Sequence, residues 1–175
     1  MLISGVLAAG VLAAGALSGA SVASASVIVL SDNFSLDVGG GDWLGDSVFR
    51  SVSPPDNSPR PASVDLYRHN IFGLSAVDLD GSTGWGNLPI AGELQSVISL
   101  PRGTYDVTFE LATRNIPHPE TTVISIGGHS FSISPARDQP FTSYSFVFSN
   151  VSGQVSFADL GRPLRQATLL PRSSY

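Results

Sequence analysis

The residues able to do chemistry are few and scattered along the 175-residue chain. Gly45-Asp46-Ser47 has the residue order that surrounds the nucleophile of some serine esterases. Such a serine works from a strand-to-helix turn, beside an oxyanion hole and a His that an Asp holds in place. No Asp-x-x-His and no Gly-x-Ser-x-Gly occurs anywhere in the sequence. His69, His118 and His129 show neither His-x-His nor His-Glu-x-x-His spacing, so they form no metal set. Of 14 acidic side chains only Glu93, Glu110 and Glu120 are Glu, and no carboxylate pair stands out for glycoside hydrolysis. The expectation is a protein that is not an enzyme.

Asp78-Leu79-Asp80-Gly81 opens in the manner of a calcium loop. An EF-hand needs a bidentate Glu at its twelfth position, and counting from Asp78 that position is Pro89. Two readings stay open for these acids. In one they buttress a glycine turn through side-chain-to-backbone hydrogen bonds. In the other, Asp32, Asp78 and Asp80 supply a structural calcium site.

Sugar recognition is the activity class that the residue types favour. Carbohydrate sites lay a flat aromatic against the apolar face of a sugar ring and fringe it with planar polar groups. Trp85 lies in Gly84-Trp85-Gly86-Asn87, and Trp43 follows Gly41-Asp42. Trp43 is read as a plug at one end of a core, whereas Trp85 is read as a platform or a second plug. The candidate ligand-binding residues are Trp85, Asn87, Arg114, Asn115 and His118, the last three on a loop behind the strongest strand.

These residues need a scaffold, and composition narrows what it is. Residues 1–25 carry no charged side chain and end in Ala23-Ser24-Ala25, the small-x-small pattern that signal peptidase accepts. We expect a signal peptide over 1–25, cut after Ala25, and one secreted domain over 26–175. An uncleaved membrane anchor is the alternative, though its Gly and Ala content makes for weak hydrophobicity. After cleavage no membrane contact is expected. The chain has no Cys, hence neither disulfides nor a thiolate zinc site. Its nine basic side chains are all Arg, dispersed in a chain of net charge −5, which leaves no basic stripe for nucleic acid.

Beyond the leader, apolar residues recur with period two, the signature of half-buried antiparallel strands. The clearest case is 104–112, where Tyr105, Val107, Phe109 and Leu111 alternate with Asp106, Thr108 and Glu110. Further strands are expected at 27–30, 47–52, 62–68, 76–79, 141–148, 155–160 and 166–170. Residues 93–100 read as one strand with Leu94, Ile98 and Leu100 on one face. Segments 121–126 and 129–133 read as a hairpin about Gly127-Gly128. No stretch combines a helical period with caps, so the expected fold is an all-β antiparallel β-sandwich or jelly roll.

Several of these stretches resemble a known family when taken in order. Asp32-Asn33-Phe34, Trp43, Ser63-Val64-Asp65-Leu66 and the run Ala76-Val77-Asp78-Leu79-Asp80-Gly81-Ser82-Thr83-Gly84 come first. Leu-Pro-Arg-Gly-Thr-Tyr-Asp-Val-Thr-Phe-Glu-Leu-Ala at 100–112, then 121–128 and 141–149, complete the series. The order is similar to that in bacterial secreted proteins of the PEP-CTERM type with a galactose-binding-like jelly-roll domain. Relatives end in a strand whose Asp belongs to a structural cation site; here Arg165 and Gln166 stand in its place. The Pro-Glu-Pro sorting tail does not occur before Tyr175. The resemblance implies a secreted, non-catalytic module that binds extracellular polysaccharide or cell-surface glycan. A structural matrix protein acting through protein–protein contacts is the alternative.

Overall fold

The alternation at 104–112 builds the longest strand among the described residues, β7 (Leu100–Ala112), with Tyr105, Val107, Phe109 and Leu111 all buried. The computed structural model describes residues 2–11, 27–28, 30–34, 44–52, 64–71, 74–79, 92–113 and 120–160. Every element among them is a strand. In chain order the others are β1 (Leu2–Val11), β2 (Val27–Ile28), β3 (Phe49–Val52), β4 (Asp65–Ile71), β5 (Leu74–Asp78) and β6 (Glu93–Ser96). After β7 come β8 (Thr122–Ile126), β9 (His129–Ile133), β10 (Thr142–Gly153) and β11 (Val155–Asp159). The chain is an all-β protein with antiparallel pairing in two sheets, as expected.

One sheet runs β10-β7-β1-β5-β4 with β2 beside β1; the other runs β3-β6-β11-β8-β9. The larger of two apolar clusters among the described residues joins them. Phe109 of the first sheet meets Phe157 of the second edge-on, with ring centroids 5.2 Å apart. Phe157 in turn contacts Phe49, and Phe49 contacts Phe34. Burying each such ring contributes about 1.5–3 kcal/mol. That is why period-two aromatics fix which face of each strand points inward.

The hairpin about Gly127-Gly128 has the expected register, with Ile126 opposite His129. Both glycines take positive φ, 55° and 84°, the backbone of a tight hairpin turn that side-chain-bearing residues resist. Gly127 also lies against the Ser152 carbonyl so closely that a Cβ there would collide with it.

The expected single strand at 93–100 is instead two. β6 stops at Ser96, and β7 starts at Leu100 in the other sheet. Ile98, expected inside, is 45 % exposed, whereas Leu94 and Leu100 are buried. Ser96 is the cause. Its hydroxyl donates to the Ile98 carbonyl at 2.7 Å and accepts the Val155 N–H at 3.0 Å. This local side-chain bond offers the backbone an alternative to the ladder.

The start of β7 has its own internal logic. The Tyr105 hydroxyl donates back to the Pro101 carbonyl, and the ring lies over Gly103, where a Cβ would stand 3.1 Å from the hydroxyl oxygen. Leu-x-x-Gly-x-Tyr is thereby explained: a buried Leu100, a Gly that leaves room, and a Tyr that ties the strand start.

Residues 2–11, inside the expected leader, form β1, antiparallel to β7 and β5. The expected strand at 166–170 lies outside the described residues.

Candidate functional site

Trp85, Asn87, Arg114, Asn115 and His118 lie outside the described residues, as do Trp43 and Asp80. The points where the segments carrying Asp80, Trp85 and Asn87 and carrying Arg114, Asn115 and His118 leave and rejoin the sandwich are described. They sit at one end.

Segment 80–91, which carries Asp80, Trp85 and Asn87, is closed at its base by the Gly92 N–H donating to the Leu79 carbonyl at 2.7 Å. The Gly92 carbonyl then accepts the Asp159 N–H at 3.1 Å, and the next residue, Leu160, donates to Thr121 at 3.0 Å. Thr121 lies one residue beyond Glu120, where segment 114–119 returns. A continuous hydrogen-bonded strip thus runs from the base of one candidate loop, across the end of β11, to the base of the other. Segment 53–63 joins the same end. It leaves β3 at Val52, opposite Glu93, and precedes Val64 and Asp65, the latter opposite Asp78.

The other root of segment 114–119 is clamped. Thr113 donates its N–H to the Gln139 carbonyl at 2.9 Å and its hydroxyl to the Ala136 carbonyl at 2.5 Å, and accepts the Gln139 N–H at 2.9 Å. The Gln139 side-chain amide donates to the Tyr144 hydroxyl at 2.8 Å, which ties this clamp to β10. Sequence patterning gave no hint of Thr113 or Gln139, because their partners lie 23 and 26 residues away. Arg137 and Asp138, exposed on the same loop, pair at 3.4 Å. An exposed pair of this kind contributes little to stability and leaves its groups available to solvent.

The opposite end holds tight turns. The Asp46 carboxylate accepts the N–H groups of Val48 at 2.6 Å and Phe49 at 2.7 Å, so the Gly45-Asp46-Ser47 triplet is a turn device. Ser47 precedes β3 and His129 opens β9, at opposite edges of the five-stranded sheet. Four strand spacings separate them, about 19 Å at ~4.8 Å each. No proton passes between those two side chains.

The acids expected at a calcium site divide as follows. One Asp32 oxygen accepts the Phe34 N–H at 2.7 Å and so caps a turn in which Phe34 has φ 56°. Asp78 ends β5 with Asp65 directly opposite on β4. Their neighbours Leu66 and Val77 point into the core, so both carboxylates leave the other face of the sheet, where Asp65 is buried and Asp78 half-buried. Sequence spacing could not single out Asp65, since only register brings it to Asp78. Among the described residues no group of three or more His, Cys, Asp or Glu side chains comes together to hold a metal ion.

No helix among the described residues is long and apolar enough to cross a membrane. No protein-family model, no curated protein and no solved structure matches the chain.

Proposed function

We propose that this protein is an exported, non-catalytic module, cut after Ala25, that binds extracellular polysaccharide or cell-surface glycan at its loop-bearing end. The observation that carries the reading is the strip Leu79–Gly92–Asp159–Leu160–Thr121. It roots the loop of Trp85 and Asn87 next to the loop of Arg114, Asn115 and His118. A stacking indole and a fringe of planar polar donors are the chemistry a pyranose ring requires. The resemblance to PEP-CTERM-type proteins and to a galactose-binding-like jelly roll belongs to the same reading. The test is binding to a panel of immobilised polysaccharides. Trp85→Ala is expected to abolish retention while leaving the unfolding midpoint within about 2 °C, as for a surface substitution. Failure to bind any glycan overturns the reading.

A second reading, a structural matrix protein, is favoured by apolar side chains left in water. Val97 and Ile98 project at the tight-turn end, and Val147 is 55 % exposed on edge strand β10. Concentration-dependent assembly in light scattering, lost on Val147→Lys, supports that reading; a monomer at all concentrations removes it.

A further inference from the structure

We propose that β10 is the docking edge for a second copy of this chain, the two β10 strands pairing antiparallel about a two-fold axis at Ser145. One sheet then runs unbroken across a closed dimer. This inference deepens the matrix reading, on which it rests for the association of copies, by naming the surface and the register.

A strand at the end of a sheet presents a row of unpaired N–H and C=O groups, and proteins guard such edges with brevity or charge. Among the described residues four strands end the two sheets: β10, β4, β3 and β9. Three of them are guarded. β3 has four residues, one of them Arg50, which Gly45 bridges. β4 contains Asp65, Arg68 and His69, and β9 has five residues and opens on His129. β10 is different. It runs for 12 residues and, among the described residues, pairs with β7 alone. From Gln139 to Ala158, twenty consecutive residues, there is no charged side chain. Thr142, Ser143, Ser145 and Val147 are exposed along it.

A second copy is the occupant that this edge fits. The chain carries a net charge of −5, so two copies repel except where charge is missing, and the uncharged run is such a place. The register with β7 is unbroken from Thr142 to Phe148, and a two-fold axis through Ser145 uses all of that stretch. It sets Ser145 opposite Ser145, Ser143 opposite Val147 and Tyr144 opposite Phe146. Tyr144 and Phe146 are half-buried and stack on Phe109, so the pairing adds two cross-strand aromatic contacts to an existing cluster. The stretch spans about 24 Å, and the side of the sandwich is about 20 Å deep, so each copy buries about 500 Å². Together that reaches the ~1,000 Å² that a specific interface needs. Phe131, 39 % exposed beside Phe146, lies within that area. Pairing consumes the one unguarded edge that the described residues of each copy offer, so assembly closes at two.

The experiment uses the full chain, which has no Cys, so an introduced thiol reports only on its own position. Multi-angle light scattering is expected to give a dimer that dissociates on dilution. Ser145→Cys places two thiols directly opposite each other, with Cα atoms within about 5.5 Å, and is expected to link the copies under mild oxidation. Ser143→Cys, about 14 Å from its own counterpart, is expected to stay unlinked. Ser145→Lys sets like charges face to face and is expected to weaken the dimer about fivefold at low salt. The fold tolerates it, because Asp106, which accepts the Ser145 hydroxyl, gives the ammonium a partner. An unchanged dimer constant in that variant overturns the inference. A chain that stays monomeric at every concentration overturns this inference and the matrix reading together, whether or not another part of the chain shields β10 from amide exchange. Assembly that leaves Ser145→Cys unlinked, or that continues past two copies, overturns this inference and leaves the matrix reading standing.

Discussion

Phe131 and Phe146 stack with ring centroids 4.7 Å apart and planes 23° from parallel, one ring from each sheet. They belong to β9 and β10, the strands that end the two sheets on the same side of the sandwich. Phe148 meets Phe131 edge-on at 5.0 Å, so the stack closes the seam between the sheets.

Phe131→Ala opens that seam. Because Phe131 is 39 % exposed, the loss is smaller than for a full core ring. We expect a destabilisation of about 1–3 kcal/mol, from lost apolar burial and the aromatic pair. Urea denaturation followed by circular dichroism checks it, and an unchanged midpoint contradicts the account of the seam.

Ser96→Ala removes a hydroxyl that serves the Ile98 carbonyl and the buried Val155 N–H. Leaving that donor unsatisfied is expected to cost about 1–3 kcal/mol, although the change deletes only one oxygen. Replacement by Thr, which keeps the hydroxyl, is expected to cost less. Equal losses for Ala and Thr in thermal unfolding argue against the hydrogen bonds as the cause.

Tyr105 gives a pH-dependent prediction. Its phenol is buried, and desolvation pushes its pKa above the ordinary value of 10.0. A raised folded-state pKa means that the folded form holds its proton more tightly than the unfolded form. The associated stability is fully present below about pH 10 and is lost above it, at up to about 1.4 kcal/mol per pH unit until the folded pKa is passed. Tyr105→Phe is expected to cost about 1–2 kcal/mol at pH 7, through the bond to the Pro101 carbonyl, and to flatten the alkaline slope. Unfolding midpoints between pH 8 and 11 test both parts; an unchanged slope in the variant refutes the second.

Calcium gives a fourth. One Asp32 oxygen accepts the Phe34 N–H and Asp78 ends β5 opposite Asp65, a turn role and a strand-end role that need no cation. EDTA is therefore expected to leave the thermal midpoint unchanged. A rise of several degrees on adding millimolar calcium, lost in Asp80→Asn, reassigns Asp32, Asp78 and Asp80 to a calcium site.

The sequence by itself determined the class of fold and the inward face of most strands. Tyr105, Val107, Phe109 and Leu111 had to share a face because side chains alternate along any strand, and Gly127-Gly128 had to turn because only glycine takes that backbone cheaply. Ile98 escaped that logic, since the strand ended at Ser96, four residues earlier than the apolar pattern implied. Tertiary structure alone decided which strands are neighbours, and with that the pairing of Asp65 with Asp78 and the Thr113–Gln139 clamp. It also decided that the loops of Trp85 and Arg114 spring from one hydrogen-bonded strip. Those relationships join residues far apart in the chain, and period-two patterning, which is local, carries no information about register between distant strands.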